Sequence, residues 1–265
     1  MKDYILNHFK GEELEKRKEI NLLMKNWRNE VENVRKIKRD CYFASDGFFP
    51  NYFNQKIKIL FIAREARWIT ADDYNDYIAT FIKVFFPRDN QNKNAFTRRV
   101  LRITEGIKNN GAIKFDNLKT ADNIAKEMIK SNDFGYAVMN VSKYSNERKD
   151  GGNANKKMIN NFLEHSLSSK INYFKNELKI LSPDIIITGN LWNGIISKEY
   201  LKLCFGFDLE KIKPRKRNGS VDLYEININN KLTKLLNVYH FSSRNTSDKN
   251  DFYLPIMKLL FEVSC

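Results

Sequence analysis

The sequence predicts an α/β fold of three layers, with helices on both sides of a central, mainly parallel sheet. Two observations predict it. Three short runs rich in β-branched and aromatic residues, Ile57 to Ile62, Tyr136 to Val141 and Asp184 to Gly189, read as strands buried on both faces. The segments between them carry apolar residues at three- and four-residue spacing and read as helices, and this alternation belongs to a parallel sheet covered on both faces. No internal repeat and no linker rich in Pro, Gly or Ser breaks the order. Residues 41–265 are therefore expected to form one domain around four central strands, with residues 1–40 as a helical extension packed on it.

In chain order, residues 12–39 begin with acids and end with bases, which suits a helix dipole, and Ile20, Leu23, Trp27, Val31 and Val34 form one apolar face. Residues 41–53 carry Asp46-Gly47 and Pro50, turn signals among aromatics that pack down. The first strand follows and ends in a cluster of charge at Arg64, Glu65 and Arg67. Residues 71–86 read as a helix dense in aromatics, and two more helices cover 94–109, which carries Arg98, Arg99 and Arg102, and 119–131.

The second strand opens into a loop holding Lys143, Arg148, Lys149 and Gly151-Gly152. A long helical stretch near 155–181, broken at most once, leads to the third strand, which Pro183 opens and Gly189-Asn190 closes. Residues 191–204 are helical and 211–220 read as a basic loop. Residues 221–228 and 232–241 are expected to pair as a hairpin across Asn229-Asn230, a type I′ signal, and a helix closes the chain.

Charge points to a partner. Lys and Arg number 46 against 32 acids, a formal +14, which argues for a polyanion and most simply for nucleic acid. No basic amphipathic helix with a clean apolar face favours a membrane surface, and no run approaches the roughly 20 apolar residues of a span. Cys41, Cys204 and Cys265 form no CxxC pair and read as reduced thiols. The N-terminus lacks the pattern of a signal peptide, so a cytoplasmic, monomeric protein is expected.

Three strand ends carry polar groups suited to chemistry: Glu65, Asn140 and His240. Each has a plain alternative. Glu65 can pair with Arg64 or Arg67, Asn140 can cap a helix, and His240 can be a satisfied strand-terminal histidine. A carboxylate, an amide and an imidazole on parallel strand ends nonetheless converge on the crevice where open α/β sheets bind ligands.

The series ILFIAREA, AVMNVSK, PDIIITGN and VYHFSSR resembles the uracil-DNA glycosylase superfamily in order and approximate spacing, over roughly residues 43 to 260. In that superfamily a first motif (Gly, Gln or Glu, an acidic or small residue, Pro) follows the first strand, an Asn at a later strand end reads the flipped base, and a His-Pro-Ser motif comes last. Here the matching residues are Ala63, Arg64, Glu65 and Ala66, then Asn140, then His240, Phe241 and Ser242. The departures are Ala63 for Gly, Ala66 for Pro and Phe241 for Pro. Arg67 stands where the uracil enzymes carry a Tyr that blocks 5-substituted bases, which implies a pocket admitting a larger base. Three cysteines exclude the superfamily's four-cysteine iron–sulfur branch.

The resemblance implies a uracil-DNA glycosylase-like αβα sandwich and a monofunctional DNA glycosylase that needs no cofactor or metal. Its substrate would be a hypermodified phage cytosine, in anti-phage defence, or uracil or another deaminated base, in repair. Glu65 would stabilise the oxocarbenium-like sugar and orient water, His240 would donate to the leaving base, and Asn140 would read its edge. Trp68 would be the stacking platform, with Tyr74 and Tyr77 as equal substitutes and Arg64 beside them; Ser242, Ser243 and Arg244 would grip phosphates on one side and Lys143, Arg148 and Lys149 on the other. Three other classes compete. A DNA-binding protein that keeps the fold need not keep Glu65, Asn140 and His240 together. A nucleotide or sugar-phosphate enzyme lacks support, because no GxGxxG or GxxxxGKS follows a strand. A metal-dependent nuclease needs more acids at strand ends than Glu65.

Overall fold

The computed structural model describes residues 5–33, 43–67, 76–146, 154–191, 196–207 and 215–262. Among these the chain forms one mixed sheet of seven strands: β1 (Gly47–Phe48), β2 (Ile59–Arg67), β3 (Tyr136–Asn146), β4 (Ile185–Gly189), β5 (Lys216–Asn218), β6 (Val221–Ile228) and β7 (Lys231–Val238). Their order is β1-β3-β2-β4-β7-β6-β5. The middle run β3-β2-β4-β7 is parallel throughout, while β1 on one side and β6 and β5 on the other pair antiparallel.

The α/β class is as expected, but the sheet is wider than four strands. The basic segment read as a loop contributes β5, which pairs with β6 from Lys216 opposite Leu223 to Asn218 opposite Val221. The turn-rich stretch after residue 41 contributes β1, whose Gly47 at φ 137° adopts backbone that favours glycine. Asn229 and Asn230, at φ 52° and 63°, close the β6–β7 hairpin as expected for a I′-type turn.

Helices α1 (Gly11–Asn33), α2 (Tyr77–Thr80), α3 (Ala95–Lys108), α4 (Ala121–Ser131), α5 (Lys156–Leu167), α6 (Tyr173–Leu181), α7 (Lys198–Phe205) and α8 (Leu254–Phe261) accompany the sheet. The helical stretch expected over 155–181, with at most one break, is broken between Leu167 and Tyr173. Short polar side chains start these helices: Asn94, Thr120, Asn155, Asn172 and Ser197 each accept a backbone N–H of the first turn. π-helical turns at Phe81–Phe85 and Asp248–Tyr253 follow α2 and precede α8.

All eleven residues of β3 and all five of β4 are buried, as strands covered on both faces must be. Helix α1 belongs to the same core. Ile20, Met24, Trp27 and Val31 on its inner face join the hydrophobic cluster that contains the strands. Trp27 packs edge-on against Phe174 at 4.6 Å and stacks on Tyr173 at 5.3 Å, and its indole N–H donates to Ser166 at 2.9 Å. Two charged residues, Glu13 and Arg17, lie on that inner face as well. Glu13 accepts the backbone N–H groups of Asn51 and Phe53, and the Arg17 guanidinium pairs with Asp76. They are not solvated charges, because they supply the partners that buried backbone and carboxylate groups need.

Candidate functional site

Strand β2 continues through the apolar run into Ala63, Arg64, Glu65 and Ala66, so Glu65 lies within the strand, not beyond it. Ala63 pairs with Asn140 and Glu65 with Ser142 of β3, and the register shifts between Glu65 and Arg67. Such an irregularity re-aims side chains near the end of a ladder. Glu65 is buried, 9% exposed as a residue, and its carboxyl is tightly held. Its Oε1 accepts the Asn146 side-chain N–H at 2.8 Å and its Oε2 the backbone N–H of Asn155 at 3.3 Å. Asn155 is the residue that caps α5, with its own side chain on the N–H of Met158, so the positive end of a helix faces the carboxylate. The Arg64 guanidinium reaches across to the carbonyl of Asn190 at 2.9 Å, tying the ends of β2 and β4.

His240 follows β7 and is partly exposed. Its Nδ1 accepts the backbone N–H of Ser242 at 3.2 Å, and its carbonyl accepts that of Ser243 at 2.8 Å. With Nδ1 acting as acceptor, the neutral ring carries its proton on Nε2. Gly189 lets the two strand ends approach: a Cβ there would lie 3.1 Å from the Phe241 ring and 3.7 Å from the His240 Cα. Strands β2 and β7 flank β4, so at the usual strand spacing Glu65 and His240 belong to positions about 10 Å apart across the sheet. Asn190 ends β4 between them, at φ 52°, and its Oδ1 has no hydrogen-bond partner among the described residues.

The loop after His240 is held from below. Arg99 of α3, itself buried, donates to the carbonyls of Phe241 at 2.6 Å, Ser243 at 3.0 Å and Thr246 at 3.2 Å, and pairs with Asp248 at 2.7 Å. Its guanidinium lies 4.3 Å from the Phe252 ring centroid. Burial alone would raise the Asp248 carboxyl, but Arg98 and Arg99 outweigh it and hold the group below its usual range. Ser242 and Arg244 are exposed on this loop and Ser243 is half-buried.

Three expected site residues stand elsewhere than the sequence placed them. Lys143 is fully buried, with its ammonium 2.6 Å from Asp46, 2.9 Å from Glu177 and 5.1 Å from the Trp27 ring centroid. It cannot grip a DNA backbone, because β3 runs on to Asn146 and carries it into the interior. Asn140 is 1% exposed in mid-strand, and its backbone and side-chain N–H groups both donate to Asp46, at 2.5 and 3.1 Å. One N–H of its side-chain amide is thus taken by the fold. Tyr77 is 6% exposed, stacked on Phe81 at 4.4 Å, so it is core and not a platform. Trp68, Tyr74, Arg148 and Lys149 lie outside the described residues.

The buried group Asp46, Lys143 and Glu177 has its own electrostatics. Burial, then the Asp46 carboxylate, push Glu177 well up, with Lys143 opposing. Burial pulls Lys143 down, but the two carboxyls beside it win and hold it above its usual value. Sequence reasoning missed Asn146, Asn155 and Asn190, which nothing local distinguishes from the other asparagines of the chain. Among the described residues no cluster of three or more His, Cys, Asp and Glu could hold a metal, and no helix is long and apolar enough to cross a membrane. The Cys204 thiol is buried and pushed up to about 12 by that burial. No protein-family model matches this chain, and no curated protein matches it.

Proposed function

We propose that this protein is a monofunctional DNA glycosylase of a uracil-DNA glycosylase-like αβα sandwich, which flips a modified base and hydrolyses its N-glycosidic bond to leave an abasic site. One observation carries the reading: Glu65 stands near the carboxyl end of a central parallel strand, gripped by Asn146 and Asn155 and still 9% exposed. A carboxylate so fixed is suited to a reaction whose transition state places positive charge on a sugar. Water would form the new bond to the anomeric carbon while the carbon–nitrogen pair leaves with the base. Glu65 would take the water's proton, and His240, whose neutral ring carries its proton on Nε2, would donate to the departing base. The separation of about 10 Å between their strands suits a nucleoside held between a carboxylate at the sugar and an imidazole at the base.

The formal +14 supports DNA as the substrate polymer. The base is taken to be a hypermodified cytosine of phage DNA or a deaminated base such as uracil; Arg67, where the uracil enzymes carry their excluding Tyr, favours the larger one. A second reading, a DNA-binding protein that keeps the fold without the chemistry, draws on Asn140. The amide expected to read the base is buried and gives one N–H to Asp46.

The test is to incubate the protein with plain, uracil-containing, hypoxanthine-containing and hydroxymethylated or glucosylated phage DNA, scoring abasic sites by alkaline cleavage. Abasic sites on one substrate, lost in both Glu65→Gln and His240→Ala, are expected. Salt-sensitive binding with no abasic sites on any of them would give the second reading the field.

A further inference from the structure

Tyr239 is a large aromatic residue left 41% exposed, immediately before His240 and just beyond the end of β7. Its neighbours on either side explain why it is unusual there. Val238 and Phe241 are buried, and Phe241 packs against Phe61 at 5.7 Å and Phe252 at 6.1 Å. The core at this strand end is therefore already filled without the Tyr239 ring. What the ring does meet is Phe252, edge-on, with centroids 6.5 Å apart. Phe252 is in turn capped by the Arg99 guanidinium, the same group that holds the carbonyls of Phe241, Ser243 and Thr246. One rigid support thus backs both the exposed ring and the loop that presents Ser242 and Arg244.

We propose that Tyr239 is a stacking platform for an unpaired nucleobase of the bound strand, next to the base that enters the crevice at His240, with Arg244 taking an adjoining phosphate. The inference rests on DNA as the substrate of that same site. An aromatic face is worth roughly a factor of ten or more in affinity per stacked base and tolerates every sequence, because every base has a π-face. A ring already backed by Phe252 loses little freedom on binding, so most of that gain is kept. Arg244, a cation exposed on the loop that follows, supplies the phosphate contact and its salt dependence.

The experiment uses single-stranded oligonucleotides with one 2-aminopurine, whose fluorescence is quenched on stacking, titrated with the full chain, Tyr239→Leu, Tyr239→Phe and Arg244→Ala. Abasic-site formation is followed in parallel on the same preparations. Tyr239→Leu, which keeps apolar bulk, is expected to abolish the quench and weaken binding about tenfold, with the salt slope unchanged; Tyr239→Phe should restore both. Arg244→Ala should keep the quench and reduce the salt slope by about one. A quench and affinity unchanged in Tyr239→Leu, or no binding by the parent chain, overturns the proposal. If the parent quenches in a Tyr239-dependent way but makes no abasic site on any substrate, the platform stands and the glycosylase reading fails instead.

Discussion

Asn146 donates its side-chain N–H to Glu65 at 2.8 Å, across the point where β2 and β3 lose register. The irregular end of the ladder brings a carboxamide from one strand onto a carboxylate of the next, and the N-cap of α5 closes on the other oxygen. Carboxylates held from two sides act in one orientation, which is what a reaction centre requires and a solvated acid lacks.

Asn146→Ala is therefore expected to lower the turnover of base excision by about a hundredfold while leaving the KM for DNA near that of the parent, since Glu65 keeps its charge and loses its aim. Steady-state kinetics on the active substrate decide it. Equal changes in kcat and KM, or a KM change alone, would place Asn146 in binding.

His240 should carry a proton-transfer share of the rate. His240→Ala is expected to slow excision by roughly 10²- to 10⁴-fold, with substrate binding retained. A base that leaves well as an anion needs less help, so a nitrophenyl-like or strongly electron-poor base analogue should recover part of the loss. The absence of any such dependence on leaving group would remove His240 from the chemistry.

Lys143 acts on stability and not on DNA. Replacing it by Met leaves the Asp46 carboxylate buried without its cation and Glu177 without its donor, and we expect about 3–5 kcal/mol of destabilisation. Chemical denaturation measures it. Adding Glu177→Gln and Asp46→Asn should return part of the stability, because the uncompensated charge is then removed. A surface lysine would give a change within about 0.5 kcal/mol.

Glu177 predicts a pH dependence whose sign can be worked out. Its folded-state value is raised, so above its ordinary value of 4.5 the folded chain holds a proton that the unfolded chain has lost. Stability then falls as pH rises from about 4.5 toward the folded-state value, by at most about 1.4 kcal/mol per pH unit for this one group. In Glu177→Gln, which mimics the neutral acid, that slope should be absent, so the stability of the parent relative to the variant should fall as pH rises from 5 to 8. Parallel curves would show that Glu177 is ionised in the fold.

Arg99→Met should loosen the loop after His240, because three backbone carbonyls lose the Arg99 donor together and Asp248 is left to Arg98 and Arg102. We expect faster amide exchange over residues 241–248 and a stability loss of about 3 kcal/mol or more. Asp248 adds an acid limb in the parent. Its value is held below 3.8, so its contribution is present above that pH and is lost as pH falls through the folded-state value. The variant should show a weaker acid limb.

The sequence by itself determined the class of fold and most of its elements. Apolar runs such as Ile59–Ile62 and Ile185–Ile187 announce strands covered on both sides, and the spacing of Ile20, Trp27 and Val31 announces the inner face of α1, because backbone period and solvent exclusion are local properties. Glu65 and His240 stood out because charge interrupts or ends an apolar run there. The tertiary structure decided the rest. Whether Lys143 meets water or Asp46, and whether Asn140 reads a ligand or holds β1, depends on how far β3 runs and which edge strand covers it. The partners of Glu65 are Asn146 and the cap of α5, 81 and 90 positions away. No local pattern records such pairings, since a side chain's polar partner is set by where the sheet and helices bring distant residues together.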